Sequence, residues 1–396
     1  MHLNLGIPAF LPVMNARQQL AALYPDFGMP DSGSRIALFQ QWKEKEHFEK
    51  LSGIQWLLAI DDVLALPADL HTRVNPSRIF LCVSEACCGD KDIQTKLGYL
   101  MQNGFQILLD PFESVLELSW HDTRHIAINC RAGVPFHARS WATKLSGGQT
   151  LASHLPTYLE FDQAVAAGMN LFSGDYALAP APDKRSADGS AKSRLLKLLG
   201  LVARDADTPE LEELFRQDPA LSFQLLKLVS SAAFAQPVRI TSFTQAIHLL
   251  GRRQLQRWLQ LLLYARQHDQ PGALNPLMPR AAFRASLMES LCAAAGAGKD
   301  DLDGAFMVGM FSLLDKLFGA DLKEVLQPLN LNEPVLSALL ERKGRLGRCL
   351  QLVEVADRQY QENLQTLFSA LELDAGLYVD CVLKAYCWVH QICRDM

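Results

Sequence analysis

Three groups of side chains in this 396-residue chain are of the types that do chemistry. His121-Asp122, with His125 following, combines imidazole and carboxylate, the donors a divalent metal takes. His125 stands at the entry to an apolar run, so the trio lacks the helical spacing that would turn both rings to one ion. Loop histidines are the expectation there. Cys381, Cys387, His390 and Cys393 are zinc-type donors near the C-terminus. At 3.6 residues per turn they point to roughly 0°, 240°, 180° and 120° around one helix, which cannot converge on an ion. The third group is electrostatic. Pro219 to His268 holds no Asp or Glu but contains Lys227, Arg239, Arg252, Arg253, Arg257 and Arg266. Two helices joined by a turn around Gln236-Pro237 would present Arg239, Arg252, Arg253 and Arg257 beside Trp258 as a candidate interaction surface. A nucleic-acid face is one reading of it, and a solvated or protein-facing basic rim is the other.

The elements that must position these groups change character along the chain. Near-continuous apolar runs at 55–60, 78–84, 105–110, 125–130, 150–155 and 170–178 read as strands covered on both faces. Helical patterns at 92–103, 136–145 and 159–169 alternate with them, which is the grammar of a parallel α/β sheet or barrel. Gly104 stands where a helix C-terminal glycine belongs. Residues 181–193, polar and small-residue rich, read as a linker. Beyond them, 195–203, 209–216, 220–230, 242–250, 252–267, 280–294 and 304–318 carry helical periodicity. Thr208-Pro209-Glu210 is a helix start signal, with a capping residue, proline at the first position and an early acid.

Composition narrows the class. At about 150 residues per domain the length predicts two or three domains. Hydrophobic residues at 49% and charged residues at 20% exclude a disordered chain. A net charge of −5 excludes a polycation, and 8% aromatics advertise no base-stacking platform. The start, Met-His-Leu-Asn-Leu-Gly, has neither a basic nor a long apolar region, so no signal peptide is expected. Nine cysteines, several inside apolar runs, read as free thiols of a cytoplasmic protein.

Two motifs in the second half carry a family resemblance. Residues 218–234 and then Ile240-Thr241-Ser242-Phe243-Thr244-Gln245-Ala246-Ile247-His248-Leu249-Leu250-Gly251 resemble the opening of an HDOD domain. The similarity covers roughly 192–290 and continues more weakly to about 390. HDOD domains resemble HD-type phosphohydrolases in helical fold but lack their metal-binding His-Asp pair. Against the catalytic G-L-L-H-D-I-G pattern this chain reads Gly309-Met310-Phe311-Ser312-Leu313-Leu314-Asp315. Ser312 takes the His position and Leu313 the Asp position, and leucine offers a metal nothing.

Four motifs of the first half are similar, in order, to those of EAL phosphodiesterases, over about residues 50–183. They are Gly104-Phe105 with Ile107-Leu108-Leu109-Asp110-Pro111-Phe112-Glu113, then His125-Ile126-Ala127-Ile128-Asn129, then Leu151-Ala152-Ser153-His154-Leu155-Pro156-Thr157, and finally Ala167 to Pro180. Pro8-Ala9-Phe10 and Leu20-Ala21-Ala22-Leu23 resemble eroded forms of that family's first strand motifs. The resemblance implies a two-metal site at the strand ends of a TIM-like barrel. In this chain the corresponding positions carry Leu20, Ala127, Asn129, Ser153, His154 and Ser173. Glu85, Asp110 and Asn129 are left as a vestigial pocket. One or two acids cannot hold two hydrated Mg²⁺ ions.

The sequence therefore predicts an α/β plus all-α protein: a degenerate TIM-like (EAL) β/α barrel over 1–180, a linker over 181–193 and a helical HDOD bundle over 194–396. No catalytic residue, cofactor or metal is expected. Other signalling proteins are the expected partners, plausible within cyclic di-GMP signalling, with no membrane and the oligomeric state open. Two other readings stand beside this one: a nucleotide sensor that binds without cleaving, and a nucleic-acid-binding regulator using the basic helices.

Overall fold

The computed structural model describes residues 8–28, 31–43, 45–114, 123–179, 189–203, 206–216, 243–265, 274–329, 331–358, 367–368, 371 and 373–395. Eight strands close into a barrel in chain order. They are β1 (Ala9–Asn15), β2 (Leu20–Asp26), β3 (Gln55–Ile60), β4 (Ile79–Val83), β5 (Gln106–Leu109), β6 (His125–Asn129), β7 (Thr150–Leu155) and β8 (Leu171–Gly174). From β2 to β8 neighbours run parallel, whereas β1 is antiparallel to both β2 and β8. The two N-terminal motifs that read as eroded are thus complete seven-residue strands.

Side chains alternate across each strand, and both faces are apolar. Val13, Ala22, Leu57, Phe80, Cys82, Leu108, Ala127, Leu151 and Leu171 fill the barrel. The intervening Trp56, Leu58, Ile79, Leu81, Val83, Ile107, Leu109, Ile126 and Ile128 belong to the outer layer under the helices. That double burial is why the strands read as unbroken apolar runs. The outer layer holds α1 (Ser32–Lys43), α2 (Glu46–Lys50), the single turn α3 (Leu70–Arg73), α4 (Lys91–Gln102), α5 (Ala138–Lys144) and α6 (Tyr158–Ala166). Gly104 follows α4 at φ +91°, as expected. The run 170–178, read as one strand, ends at Gly174. A Cβ there would lie 2.3 Å from the Leu155 backbone nitrogen, and Tyr176–Leu178 turn as a 3₁₀ segment.

The second half is helical: α7 (Gly189–Ala203), α8 (Thr208–Arg216), α9 (Phe243–Ala265), α10 (Leu277–Ala294), α11 (Lys299–Phe311), α12 (Leu314–Phe318), α13 (Leu322–Leu326), α14 (Glu333–Glu341), α15 (Gly344–Arg358) and α16 (Ala375–Asp395). Residues 181–188 of the expected linker lie outside the described residues, and 189–193 are the first turns of α7. Nothing after Gly189 in that stretch breaks a helix, so α7 extends back ahead of its buried Leu195. Gly251, at φ 70° and ψ 157°, divides α9 where the sequence separates 242–250 from 252–267. The helix expected over 304–318 is instead interrupted between α11 and α12. Ser312 turns its hydroxyl back to the Gly309 carbonyl at 2.7 Å. Residues 217–242, with the opening HDOD motif, lie outside the described residues.

One continuous apolar cluster runs from the barrel wall into the helical half. Phe283 on α10 stacks on Tyr386 of α16 at 4.5 Å, and the Tyr386 hydroxyl donates to the Phe10 carbonyl of β1 at 3.2 Å. Among the described residues no helix is long and apolar enough to cross a membrane.

Two glycines of α11 make opposite predictions. A Cβ on Gly309 would lie 2.5 Å from Ala285 backbone atoms of α10, whereas one on Gly304 would meet Val335 at an ordinary 3.6 Å. Gly309→Ala is expected to lower stability by about 1–3 kcal/mol through overpacking. Gly304→Ala is expected to raise it by about 0.5–1 kcal/mol through helix propensity. Urea denaturation of the two variants checks both signs.

Candidate functional site

The carboxyl ends of the barrel strands are where a parallel barrel gathers its chemistry. Alternation from Leu108 and Ala127 brings Asp110 and Asn129 to the inward register at the ends of β5 and β6. The Tyr24 hydroxyl of β2 lies beside the Asp110 carboxylate. Burial pushes the Asp110 carboxyl above its ordinary range, and the Tyr24 hydrogen bond opposes that shift. Burial, Cys82 and Asp110 together hold the Tyr24 phenol protonated. Burial and the Asp110 charge do the same for the Cys82 thiol inside the barrel.

The other sequence-selected residues do not join this pair. Glu85 is buried and accepts from the backbone nitrogens of Glu113 (2.9 Å) and Ser114 (3.1 Å) and from the Ser114 hydroxyl (2.5 Å). It clamps the segment after β5, which also receives the Trp141 indole at the Ser114 carbonyl, 2.8 Å away. Asn129 is exposed and accepts from the Arg131 backbone nitrogen at 3.0 Å. Further strand-end acids are engaged in the same way. Asp26 accepts from the Gly28 backbone nitrogen at 2.9 Å, Asp61 pairs with Arg35 at 2.8 Å, and Asp175, just past β8, pairs with Arg280 at 2.9 Å. Ser153 donates to the Ile128 carbonyl at 3.2 Å. The fit of this donor set to two hydrated divalent ions is therefore poor: each of these carboxylates already has a protein partner, and Asn129 and Ser153 bring no charge.

The second constellation lies where α10, α15 and the α11–α12 break meet. Asp357, buried on α15, accepts from Arg280 Nε at 2.9 Å and from Arg284 Nε at 2.8 Å. Arg284, 1% exposed, reaches Ser312 Oγ at 3.1 Å. Glu354 lies 3.6 Å from Arg284 and holds Arg342 at 2.8 Å. Burial would raise the Asp357 carboxyl, but the guanidinium groups of Arg280 and Arg284 hold it below its ordinary value. Ser312 stands at the position the resemblance assigns to a metal-binding His, so at that place an arginine supplies the positive charge. These residues escaped the sequence reading. Their one visible signal is an Arg-x₃-Arg spacing inside the otherwise apolar run of α10.

The described members of the expected basic interaction surface are engaged within the protein. Arg253 Nε bonds Asp303 at 2.5 Å. Arg257 pairs with Glu289 and Asp303 and lies 4.4 Å over the Phe306 ring. Arg252 donates to the Ala206 carbonyl at 2.7 Å, and Trp258 is buried. The acids missing from 219–268 are supplied by α10 and α11, which pack against α9. Arg239 and His121-Asp122 lie outside the described residues. His125 accepts from the Gln149 backbone nitrogen at 2.9 Å and packs edge-on against Phe80. Cys387 donates to the His47 carbonyl at 3.1 Å, while Cys381 and Cys393 are buried. Among the described residues no three His, Cys, Asp or Glu side chains are grouped to hold a metal ion.

Comparison with known proteins adds to this geometry. Residues 192–327 match the HDOD domain, so the chain joins an eight-stranded α/β barrel to a helical region containing an HDOD domain. The chain is similar to the uncharacterized protein YuxH of Bacillus subtilis, 25% identical over 341 residues, covering 82% of this chain and 81% of that protein. It is also similar to the cyclic di-GMP phosphodiesterase CdgJ of Vibrio cholerae, 26% identical over 330 residues, covering 80% of this chain and 74% of that protein. Among solved structures it resembles the EAL domain of Mycobacterium smegmatis DcpA, at 16% identity and TM-score 0.35, over 42% of this chain and 89% of that one.

Two substitutions probe the two constellations. Asp357→Ala leaves two arginines buried without their shared partner and is expected to cost about 3–5 kcal/mol. Because the Asp357 value is lowered in the fold, its contribution is present above the unfolded carboxyl value of about 4 and is lost as pH falls through the lower folded value. Stability of the parent and of Asp357→Ala should therefore converge in acid. Asp110 has the opposite sign. Its raised folded value favours the fold below about pH 4, and that contribution is lost as pH rises through the folded value. Asp110→Asn keeps an acceptor for Tyr24 and is expected to raise Tm at pH 7 and leave it unchanged at pH 4. Thermal denaturation across pH reads both.

Proposed function

We propose that this protein is a non-catalytic signal-transduction component of cyclic di-GMP signalling. In this reading a barrel that no longer hydrolyses phosphodiesters is joined to an HDOD bundle, and the whole works by binding other signalling proteins in the cytoplasm. The observation that carries the proposal is the engagement of the strand-end carboxylates Asp26, Asp61, Glu85, Asp110 and Asp175 with protein partners. Phosphodiester hydrolysis by the two-metal route needs carboxylates free to clamp both ions, to generate hydroxide and to stabilise the leaving oxygen. Burial raises the Asp110 carboxyl, which opposes its use as a charged ligand. Similarity to CdgJ, named a cyclic di-GMP phosphodiesterase, supports the signalling context.

The Asp175–Arg280 pair supports a role for both halves together. Asp175 follows the last barrel strand directly, and Arg280 also holds Asp357 of the helical half. A partner seated on either half would therefore act on a surface braced by the other.

Incubation of the purified protein with cyclic di-GMP and Mg²⁺ or Mn²⁺ is expected to release no linear dinucleotide above the enzyme-free blank. Calorimetry at high micromolar ligand is expected to record no binding heat. Metal-dependent cleavage that disappears in Asp110→Asn would overturn the proposal. Heat without cleavage would replace the scaffold with a ligand sensor.

A further inference from the structure

The antiparallel pair α10 and α15 carries a second polar contact besides the arginine–aspartate network. Cys292 lies eight residues beyond Arg284, and Cys349 lies eight residues before Asp357. Two helices that bring Arg284 to Asp357 in antiparallel register therefore bring Cys292 to Cys349 about 12 Å further along, at 1.5 Å per residue. The register sets the two thiols side by side there, and both are buried free cysteines. Cys292 is also one wall of a cavity of about 320 Å³ that reaches the surface between α10 and the start of α15. Lys343 and Arg345 are exposed residues of the opposite wall. Arg345 is pinned over the end of α10 by its 3.0 Å bond to the Ala295 carbonyl.

We propose that Cys292 and Cys349 form a dithiol that hydrogen peroxide converts to a disulfide, locking α10 to α15. Peroxide is small enough to enter the cavity. The Cys292 thiolate attacks one peroxide oxygen, forming an S–O bond while the O–O bond breaks and hydroxide leaves. The product is a sulfenic acid on Cys292. Cys349 then gives up its proton and its sulfur attacks Cys292, forming the S–S bond and expelling hydroxide, which leaves with that proton as water. Two thiols lose two electrons, and one peroxide is reduced to two waters.

The order of the two sulfurs has a physical cause. The Cys349 hydrogen bond lowers the Cys292 thiol, burial opposes it, and Arg345 adds to the lowering. Cys349 is held protonated by the same hydrogen bond and by its own burial. Other buried cysteines are shifted the opposite way from Cys292: burial pushes Cys130 and Cys381 up to about 11. Cys292 lines the cavity and Cys349 does not, so attack on the pocket side and resolution by the sulfur behind it follow from that placement.

Peptide mapping after peroxide treatment of the full chain and alkylation in denaturant tests this. The expected result is a fall from nine alkylatable cysteines to seven, with one linked peptide joining Cys292 to Cys349, reversed by dithiothreitol. Cys349→Ser should instead accumulate a dimedone-reactive sulfenic acid on Cys292, and Cys292→Ser should give neither product. Circular dichroism shows whether each variant folds, and the parent protein's linkage map decides the matter if one does not. Two outcomes overturn the proposal: both cysteines remain alkylatable at peroxide levels that oxidise the half-buried Cys87, or the linked peptide joins a different pair.

Discussion

Asp357 is the charge around which the helical half is organised. It sits on α15 with 3% of its side chain exposed and is bound by two arginines from successive turns of α10. A carboxylate in that position is stable only because both guanidinium groups are present, and each arginine is stable only because the carboxylate is. Three cations, Arg280, Arg284 and Arg342, meet three anions, Asp175, Asp357 and Glu354. The balanced charge fixes the register of α10 on α15 in a way apolar packing would leave looser. Ser312 joins this network at the break between α11 and α12. The helix interruption at Ser312 thus has a structural use.

The same network reaches the barrel through Asp175. The apolar cluster is continuous across the two halves, and polar contacts at Phe10 and Asp175 fix its register. The barrel mouth follows a related economy. Acids that could have faced a ligand instead hold other parts of the protein, with Glu85, after β4, binding the segment after β5 as the clearest case. The residues that fill the barrel are separate from those at its mouth, so the two sets meet different demands.

Much of the barrel was legible in the chain because strands covered on both faces read as apolar runs, and β3 and β7 match their expected limits at both ends. The first two strands read poorly because Pro12 and Pro25 interrupt them and because they pair antiparallel with each other. Helix starts at Thr208 and the break at Gly251 were readable from local signals, since caps and left-handed glycines act within a few residues. The single helix expected over 304–318 is broken at Ser312, whose hydroxyl meets Arg284 from a different element.

By itself the sequence determined the fold class and the change from alternating strands and helices to helices alone. Those properties depend on residue type and local period. Only the tertiary structure decided what the remaining charges do. Arg253 and Arg257 read as a basic face because the counter-ions Glu289 and Asp303 are supplied by other helices. Asp110 read as an isolated acid because its partner Tyr24 comes from a strand more than eighty residues away. Electrostatic pairing acts through space over a few ångströms, and a linear sequence holds no record of which distant residues will lie that close.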